Sequence, residues 1–158
     1  MTKKLLLAGL IPLAFAATMG EARENRTLKC NISAARADGG SGGPALVANV
    51  PRSLTPISLD AVQWTDKTLR RKMVVEGLFA RRNEAENVEV TVRFVNCTTK
   101  DLVIQARASF MDASQFPTEK TSAWINVSIP ARATGVYNGR SVGGAKVEHF
   151  LVEIRNAN

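Results

Sequence analysis

The residues able to do chemistry are few and widely spaced. The 158-residue chain has two cysteines, Cys30 and Cys97, and a single histidine, His149. One histidine supports neither an imidazole-based metal cluster nor a Ser-His-Asp relay, and no CxxC pair is present. The glycines at 39–43 neither follow a strand pattern nor open a helix, as a phosphate-binding loop would require. These observations argue against an enzyme and against a cofactor or metal.

The two cysteines predict a disulfide. In an exported protein an even cysteine count favours a bridge, and closing a loop of this length is worth about 4 kcal/mol in the chain-entropy model. A Cys30–Cys97 bond would attach an otherwise loose N-terminal arm to the folded domain. Two alternatives stay open, namely that both thiols remain free or that Cys30 pairs with another protein.

Two clusters of basic residues flank one predicted strand and make up the candidate patch for binding a partner. They are Arg70, Arg71 and Lys72 before the strand, and Arg81 and Arg82 after it. Charges on an edge strand discourage unwanted pairing with another chain. The same residues would equally form a surface that binds an acidic partner.

The net charge does not indicate a nucleic-acid partner. The formal charge is +7, and it falls to +5 if Lys3 and Lys4 leave with an N-terminal leader. The remaining charges are scattered singly and in pairs, whereas nucleic-acid binding needs a clustered basic footprint. We therefore expect no nucleic acid among the partners.

His149 and the two tryptophans have ordinary structural interpretations. Alternation places His149 on the same strand face as Leu151 and Glu153, which predicts a solvated side chain. Trp64 and Trp124 are expected to pack in the core or to cap one end of it. A platform for stacking a ligand is the second interpretation of these indoles.

The segment 1–16 has the three-part layout of a secretory signal peptide. A positive head precedes an apolar run from Leu5 to Ala16, and the small residues Ala16 and Ala17 mark the expected cleavage point. A second candidate cleavage point follows Ala22. The apolar run is shorter than the roughly 20 residues of a bilayer span. Leu10 stands where the lipidated cysteine of a lipobox would be.

These features predict export to the periplasm, or secretion, in a Gram-negative bacterium. We expect no transmembrane span in the mature chain and no lipid anchor. Segment 17–56 has the composition of a flexible Gly-rich arm, with a run of glycines at 39–43. We expect it to be disordered, with two alternatives: it lies along the domain, or it adds a strand to a partner's sheet.

The region 57–158 shows the period-2 alternation of β-strands. The most regular stretch runs from Val88 to Asp112 and predicts an antiparallel hairpin with one buried face. Gly77, inside a strand predicted from Lys72 to Arg82, suggests a β-bulge. The other predicted strands are 57–64, 123–129, 134–137 and 146–155. Seven such strands predict an all-β, antiparallel immunoglobulin-like β-sandwich, with a small closed barrel as the alternative.

From Ile57 to Arg155 the chain resembles the YcfL-like family of small bacterial envelope proteins. Four stretches carry the resemblance: KMVVEGLFARR from Lys72, VEVTVRFVNCTTKDL from Val88, FMDASQF from Phe110 and SAWINVSI from Ser122. The resemblance implies an immunoglobulin-like sandwich in the Gram-negative envelope with no enzymatic activity. Relatives are commonly lipoproteins, and this chain departs from them by lacking the lipobox cysteine. No functional residue is carried over.

Two functions from different classes are compatible with these observations. The leading hypothesis is a non-enzymatic interaction module, an accessory or structural subunit of an envelope assembly, that binds envelope proteins through an exposed strand edge or its arm. The alternative is a binding protein for peptidoglycan or another anionic envelope glycan, using the basic residues around the 72–82 strand. An enzyme is disfavoured because no catalytic constellation is present.

Overall fold

The computed structural model describes Cys30, Ile32, residues 43–46 and residues 52–157. The predicted signal peptide 1–16, its cleavage point at Ala16 and Ala17, and most of the 17–56 arm lie outside the described residues. No helix in the described part is long and apolar enough to cross a bilayer.

The described residues contain nine β-strands and three short 3-10 helices. The strands are β1 Ala45–Leu46, β2 Thr55–Ile57, β3 Val62–Trp64, β4 Met73–Arg82, β5 Val88–Asn96, β6 Leu102–Met111, β7 Ile125–Ile129, β8 Thr134–Arg140 and β9 His149–Asn156. The 3-10 helices are Leu59–Ala61, Lys67–Arg71 and Gly144–Lys146.

The strands form two sheets that pack face to face. The first sheet has the strand order β2-β4-β5-β8. In the second sheet β9 is central: β6 pairs with it on one side and is followed by β7, and β1 and β3 pair with it on the other side. All pairs are antiparallel except β3 with β9. The chain crosses between sheets after β5, after β7 and after β8, in the manner of immunoglobulin-like folds. The predicted all-β sandwich is confirmed, and the closed barrel is excluded.

The expected hairpin between Val88 and Asp112 is wrong. β5 pairs with β4 and β8, whereas β6 pairs with β7 and β9 in the other sheet. The two strands therefore face each other across the core instead of lying side by side. Alternation shows that each strand buries one face, but it does not show whether the next strand covers that face or continues the sheet.

The strand expected at 57–64 is also divided. Residues Leu59–Ala61 form a 3-10 turn, capped by the Ser58 side chain, whose oxygen accepts a hydrogen bond from the Asp60 N–H. The chain leaves the first sheet after β2 and enters the second at β3. Pro56 lies in the edge strand β2, where a missing N–H costs little.

Gly77 lies at a β-bulge, as the sequence indicated. The register of β4 against β5 shifts between Val75 and Gly77. A Cβ atom at Gly77 would lie 2.7 Å from Cε2 of Phe79, so the ring covers the space that a side chain would fill. A side chain at this position would therefore require the Phe79 ring to move.

The core lies between the sheets and is built from the inward residues of both. Its largest fully buried side chains include Tyr137, Phe94, Phe110 and Phe150. His149 was expected on a solvated face, but it is only 8% exposed. Its Nδ1 lies 2.9 Å from the backbone oxygen of Asp112. His149 is buried because the loop after β6 folds back over the start of β9.

Parts of the 17–56 arm lie within the described residues and contact the domain. Ala45 and Leu46 form β1 and pair antiparallel with Phe150 and His149. A disulfide joins Cys30 to Cys97, with the two Cα atoms 5.5 Å apart. The arm thus contacts the domain at two places. Its own sheet, rather than a partner's, accepts the short strand.

Candidate functional site

Strand β8 forms one edge of the first sheet. The N–H of Ser141 donates to the Val88 oxygen at 2.9 Å. Hydrogen-bonded pairs alternate with non-hydrogen-bonded pairs along two antiparallel strands, so this bond identifies the residues of β8 that bond to β5. Alternation from this pair directs the N–H and C=O groups of Val136, Asn138 and Arg140 away from β5. In the described part of the chain no backbone group pairs with them. The edge is therefore a row of free donors and acceptors.

The side chains on this edge are mixed in character. Val136 is 48% exposed, and Asn138 and Arg140 are exposed on the same face. Gly135 and Tyr137 alternate with the exposed residues, and their buried face packs against the core. A rigid strand with an exposed apolar residue and free backbone groups is the kind of edge to which another strand can be added.

A groove runs over the outer face of the first sheet beside β8. Its volume is about 570 Å³. Arg81, Glu89 and Arg140 lie opposite one another on β4, β5 and β8, and Leu54 closes the row. The next row has Thr91, whose hydroxyl donates to the Asn138 side-chain oxygen at 2.9 Å. The groove therefore offers charged, amide and hydroxyl groups beside an apolar wall.

The electrostatics of the groove depend on one carboxylate between two guanidinium groups. Arg81 Nε donates to Glu89 Oε2 at 2.7 Å, and Asn83 donates to the other carboxylate oxygen at 3.2 Å. The hydrogen bond from Arg81, followed by that from Asn83, lowers the pKa of Glu89 below its ordinary value of 4.5. Arg140 also favours the ionised form. At neutral pH the row carries an excess of one positive charge.

The candidate patch from the sequence is split by the fold. Its two halves flank β4, a strand of ten residues, which places them roughly 30 Å apart at about 3.3 Å per residue. Arg81 faces the groove. Arg82 instead donates to the backbone oxygen of Val147, and Arg70 lies over the Trp64 ring at 5.7 Å. Arg71 is exposed and Lys72 is partly buried at the opposite end.

Arg140 completes the basic groove but was missed from the sequence. The expected strand ended at Tyr137, whereas β8 continues to Arg140. Asn138 and Gly139 suggested a turn, and only the pairing with β5 shows that they are extended. No local signal places Arg140 opposite Glu89, because that neighbour is 51 residues away in sequence.

Metal ligation finds no support in this part of the molecule. Among the described residues no group of three or more His, Cys, Asp or Glu side chains could hold an ion. Cys30 and Cys97 are joined to each other.

The chain was compared with known proteins. No family model matches it, and no curated protein matches it. One similar solved structure is Campylobacter jejuni cj0090, at 17% identity and TM-score 0.48, covering 61% of this chain and 98% of that chain. Another is a DUF1425 family member from Shewanella sp. pv-4, at 15% identity and TM-score 0.48, covering 54% of this chain and 79% of that chain.

Proposed function

We propose that this protein is a non-enzymatic interaction module of the bacterial envelope, an accessory or structural subunit that binds an extended segment of another envelope protein. The observation that carries the proposal is the β8 edge, where the backbone groups of Val136, Asn138 and Arg140 point away from the sheet. Strand addition satisfies such groups with main-chain hydrogen bonds, while neighbouring side chains supply specificity.

The side chains beside β8 favour an acidic partner segment. Arg140 stands on the edge strand, and Arg81 lies in the same row with only Glu89 to balance the two charges. A carboxylate on the added strand opposite Arg140 would gain a charge-assisted hydrogen bond. Val136 would pack against an apolar residue four positions further along the partner strand.

Two features expected of an exported protein support the envelope part of the proposal. The 1–16 segment has the layout of a signal peptide. The Cys30–Cys97 disulfide fits an oxidising compartment such as the periplasm, since disulfides rarely persist in a reducing cytosol. The resemblance to the YcfL-like envelope proteins points the same way.

Photo-crosslinking in intact cells tests the proposed edge. A crosslinking amino acid at Asn138 should capture a discrete partner, whereas one at Val103, exposed on the other sheet, should not. Val136→Pro removes an N–H that points away from β5, so the β5 ladder stays complete. We expect it to weaken binding of the captured segment about tenfold, the effect of one lost hydrogen bond.

Val136→Thr is the matched control, because it replaces one methyl group by a hydroxyl and keeps the backbone N–H. It should bind within about twofold of the parent protein, and both variants should keep the parent circular dichroism spectrum. Equal capture from Asn138 and Val103, or unchanged binding by Val136→Pro, would show that the partner does not add a strand to β8.

A second candidate function is binding of peptidoglycan or another anionic envelope glycan. The groove favours it, because Arg81 and Arg140 stand beside the hydroxyl of Thr91 and the amide of Asn138. Purified sacculi should then cosediment with the protein, and salt should weaken the binding by screening. Arg81→Glu with Arg140→Glu should abolish it, and Arg71→Glu at the other end of β4 should not. Retention of binding by the double variant rules the groove out.

A further inference from the structure

Trp124 lies within stacking distance of two arginines on the outer face of the second sheet. The guanidinium carbon of Arg107 is 4.4 Å from the centroid of its ring, and that of Arg155 is 4.2 Å away. Arg107 comes from β6 and Arg155 from the neighbouring strand β9. Two like charges are therefore held around one indole, far along the chain from each other.

Both guanidinium groups are fixed by hydrogen bonds through Nε. Arg107 Nε donates to Glu153 Oε2 at 2.6 Å, and Arg155 Nε donates to Gln105 Oε1 at 2.8 Å. Gln105 is held in turn by the side-chain oxygen of Asn126, at 3.0 Å. These contacts and the indole restrict the rotamers of both arginines. Little conformational entropy remains to be lost when a ligand binds.

The cluster carries a positive charge that no group in it balances. Glu153 is the single carboxylate in contact with the two arginines in the described part of the chain, and it pairs with Arg107. Its hydrogen bond raises the pKa of Arg107 further. Among the described residues, the hydrogen-bond partner of Arg155 is the neutral amide of Gln105. Among the described residues no hydrogen bond is made by the terminal Nη atoms of either arginine.

The upper limit on the separation of the two guanidinium carbons is close to the span of one tetrahedral oxyanion. The two ring contacts limit the separation of the guanidinium carbons to less than about 9 Å. An anion bridging two guanidinium forks through bonds of about 2.8 Å needs carbons roughly 8 Å apart or closer. Phosphate and sulfate present several oxygens in different directions, so one group can accept from both arginines.

We propose that Arg107 and Arg155, held by Trp124, Glu153 and Gln105, form a binding site for a phosphate-type oxyanion. The site is on the second sheet and is separate from the β8 edge and the groove of the first sheet. A purely structural cluster would pin the segment before β7 and would not respond to anions. An anion site would respond to anions, and it would need Arg155, which pairs with no carboxylate among the described residues.

Tryptophan fluorescence tests this site directly. The chain has two tryptophans, so Trp64→Phe leaves Trp124 as the single reporter. Titration with inorganic phosphate should change its emission saturably, with half-saturation at about 1 mM, and sodium chloride at matched ionic strength should not. Arg155→Gln in the same background should weaken the response at least about tenfold. The control Arg93→Gln, which breaks the Arg93–Glu76 pair on the first sheet, should leave it unchanged.

Absence of a saturable phosphate response would overturn the proposal, as would an equal response in Arg155→Gln when circular dichroism shows that this variant is folded. A second arm identifies the source of the oxyanion. A lipid headgroup would be supported if phosphatidylglycerol vesicles change the Trp124 emission at a lower phosphate concentration than inorganic phosphate does. Phosphatidylcholine vesicles should then cause no change. The reverse order would support a free phosphate.

Discussion

The backbone N–H of Cys97 donates to the carbonyl oxygen of Lys72 at 2.8 Å. This bond extends the β4–β5 pairing one residue past the end of β5, so that Cys97 stands on a rigid part of the first sheet. Its disulfide to Cys30 therefore attaches the arm to the framework and not to a mobile loop.

Removing the disulfide should destabilise the domain, because the unfolded chain then has more conformational entropy. The bridge spans 67 residues, for which the chain-entropy model gives about 4 kcal/mol. We expect the variant with Cys30→Ser and Cys97→Ser to unfold at lower urea concentration, with a loss of up to about 4 kcal/mol. Reducing the parent protein should reproduce the loss. Identical unfolding curves for oxidised and reduced protein would contradict this account.

Tyr137 should tolerate loss of its hydroxyl. The ring is 1% exposed, and its buried oxygen has no hydrogen-bond partner in the part of the chain that the structure describes. Burying an unsatisfied hydroxyl costs free energy, so Tyr137→Phe should leave the free energy of unfolding unchanged or raise it by about 1 kcal/mol. Urea denaturation measures the difference. A loss above about 1 kcal/mol would reveal a hydrogen bond to the hydroxyl.

The ionisation of Tyr137 gives an independent test of its burial. Burial raises the pKa of this phenol above its ordinary value of 10.0. Folding then favours the neutral form, so this contribution to stability is present below pH 10.0 and is lost as the pH rises through the folded-state pKa. The chain has one tyrosine, so phenolate absorbance reports this group alone. Titration at the ordinary value in folded protein would refute the burial.

Glu89 should link stability to acid pH. Its pKa is lowered in the folded state, mainly by Arg81, so its contribution is present above pH 4.5 and is lost as the pH falls through the folded-state pKa. Glu89→Gln should cost about 0.5 kcal/mol at pH 7, as expected for a partly exposed pair. At acid pH, where both proteins have an uncharged side chain here, their urea midpoints should converge. A constant difference at every pH would exclude the ionised carboxylate as the cause.

Asn96 should be the most sensitive polar residue of the core. It is fully buried, and its amide donates to the backbone oxygens of Lys100, Ile129 and Pro130, at 2.8 to 3.1 Å. Its oxygen accepts two hydrogen bonds from Thr98. Asn96→Ala leaves these buried groups unpaired and should cost about 3 kcal/mol. Thr91→Ala, which breaks one exposed hydrogen bond, is the control and should cost less than about 1 kcal/mol.

The alternating pattern of the sequence predicts which residues are buried better than it predicts their neighbours. The inward faces of β5 and β6, the all-β class and the bulge at Gly77 follow from local patterns. The placement of β5 and β6 in different sheets does not, because side-chain alternation is the same in either arrangement.

Long-range contacts explain the other differences. His149 is buried by a loop that starts at Asp112, and Arg140 gains its place in the groove from Glu89 on another strand. β3 pairs parallel with β9 across about 90 residues of chain, and no turn signal announces such a pairing. The proposed oxyanion site shares this property, because Arg107 and Arg155 meet only when β6 pairs with β9.

Strand β9 has a further consequence for how the molecule is made. It is the last strand in sequence, yet β1, β3 and β6 all pair with it. The second sheet therefore has no centre until residues 149–156 have been synthesised and are free to pair. A growing chain exposes the apolar face of β6 throughout that interval, and late closure of such distant contacts makes folding slow. Under the proposed export, this delay would keep the chain unfolded until it has been translocated.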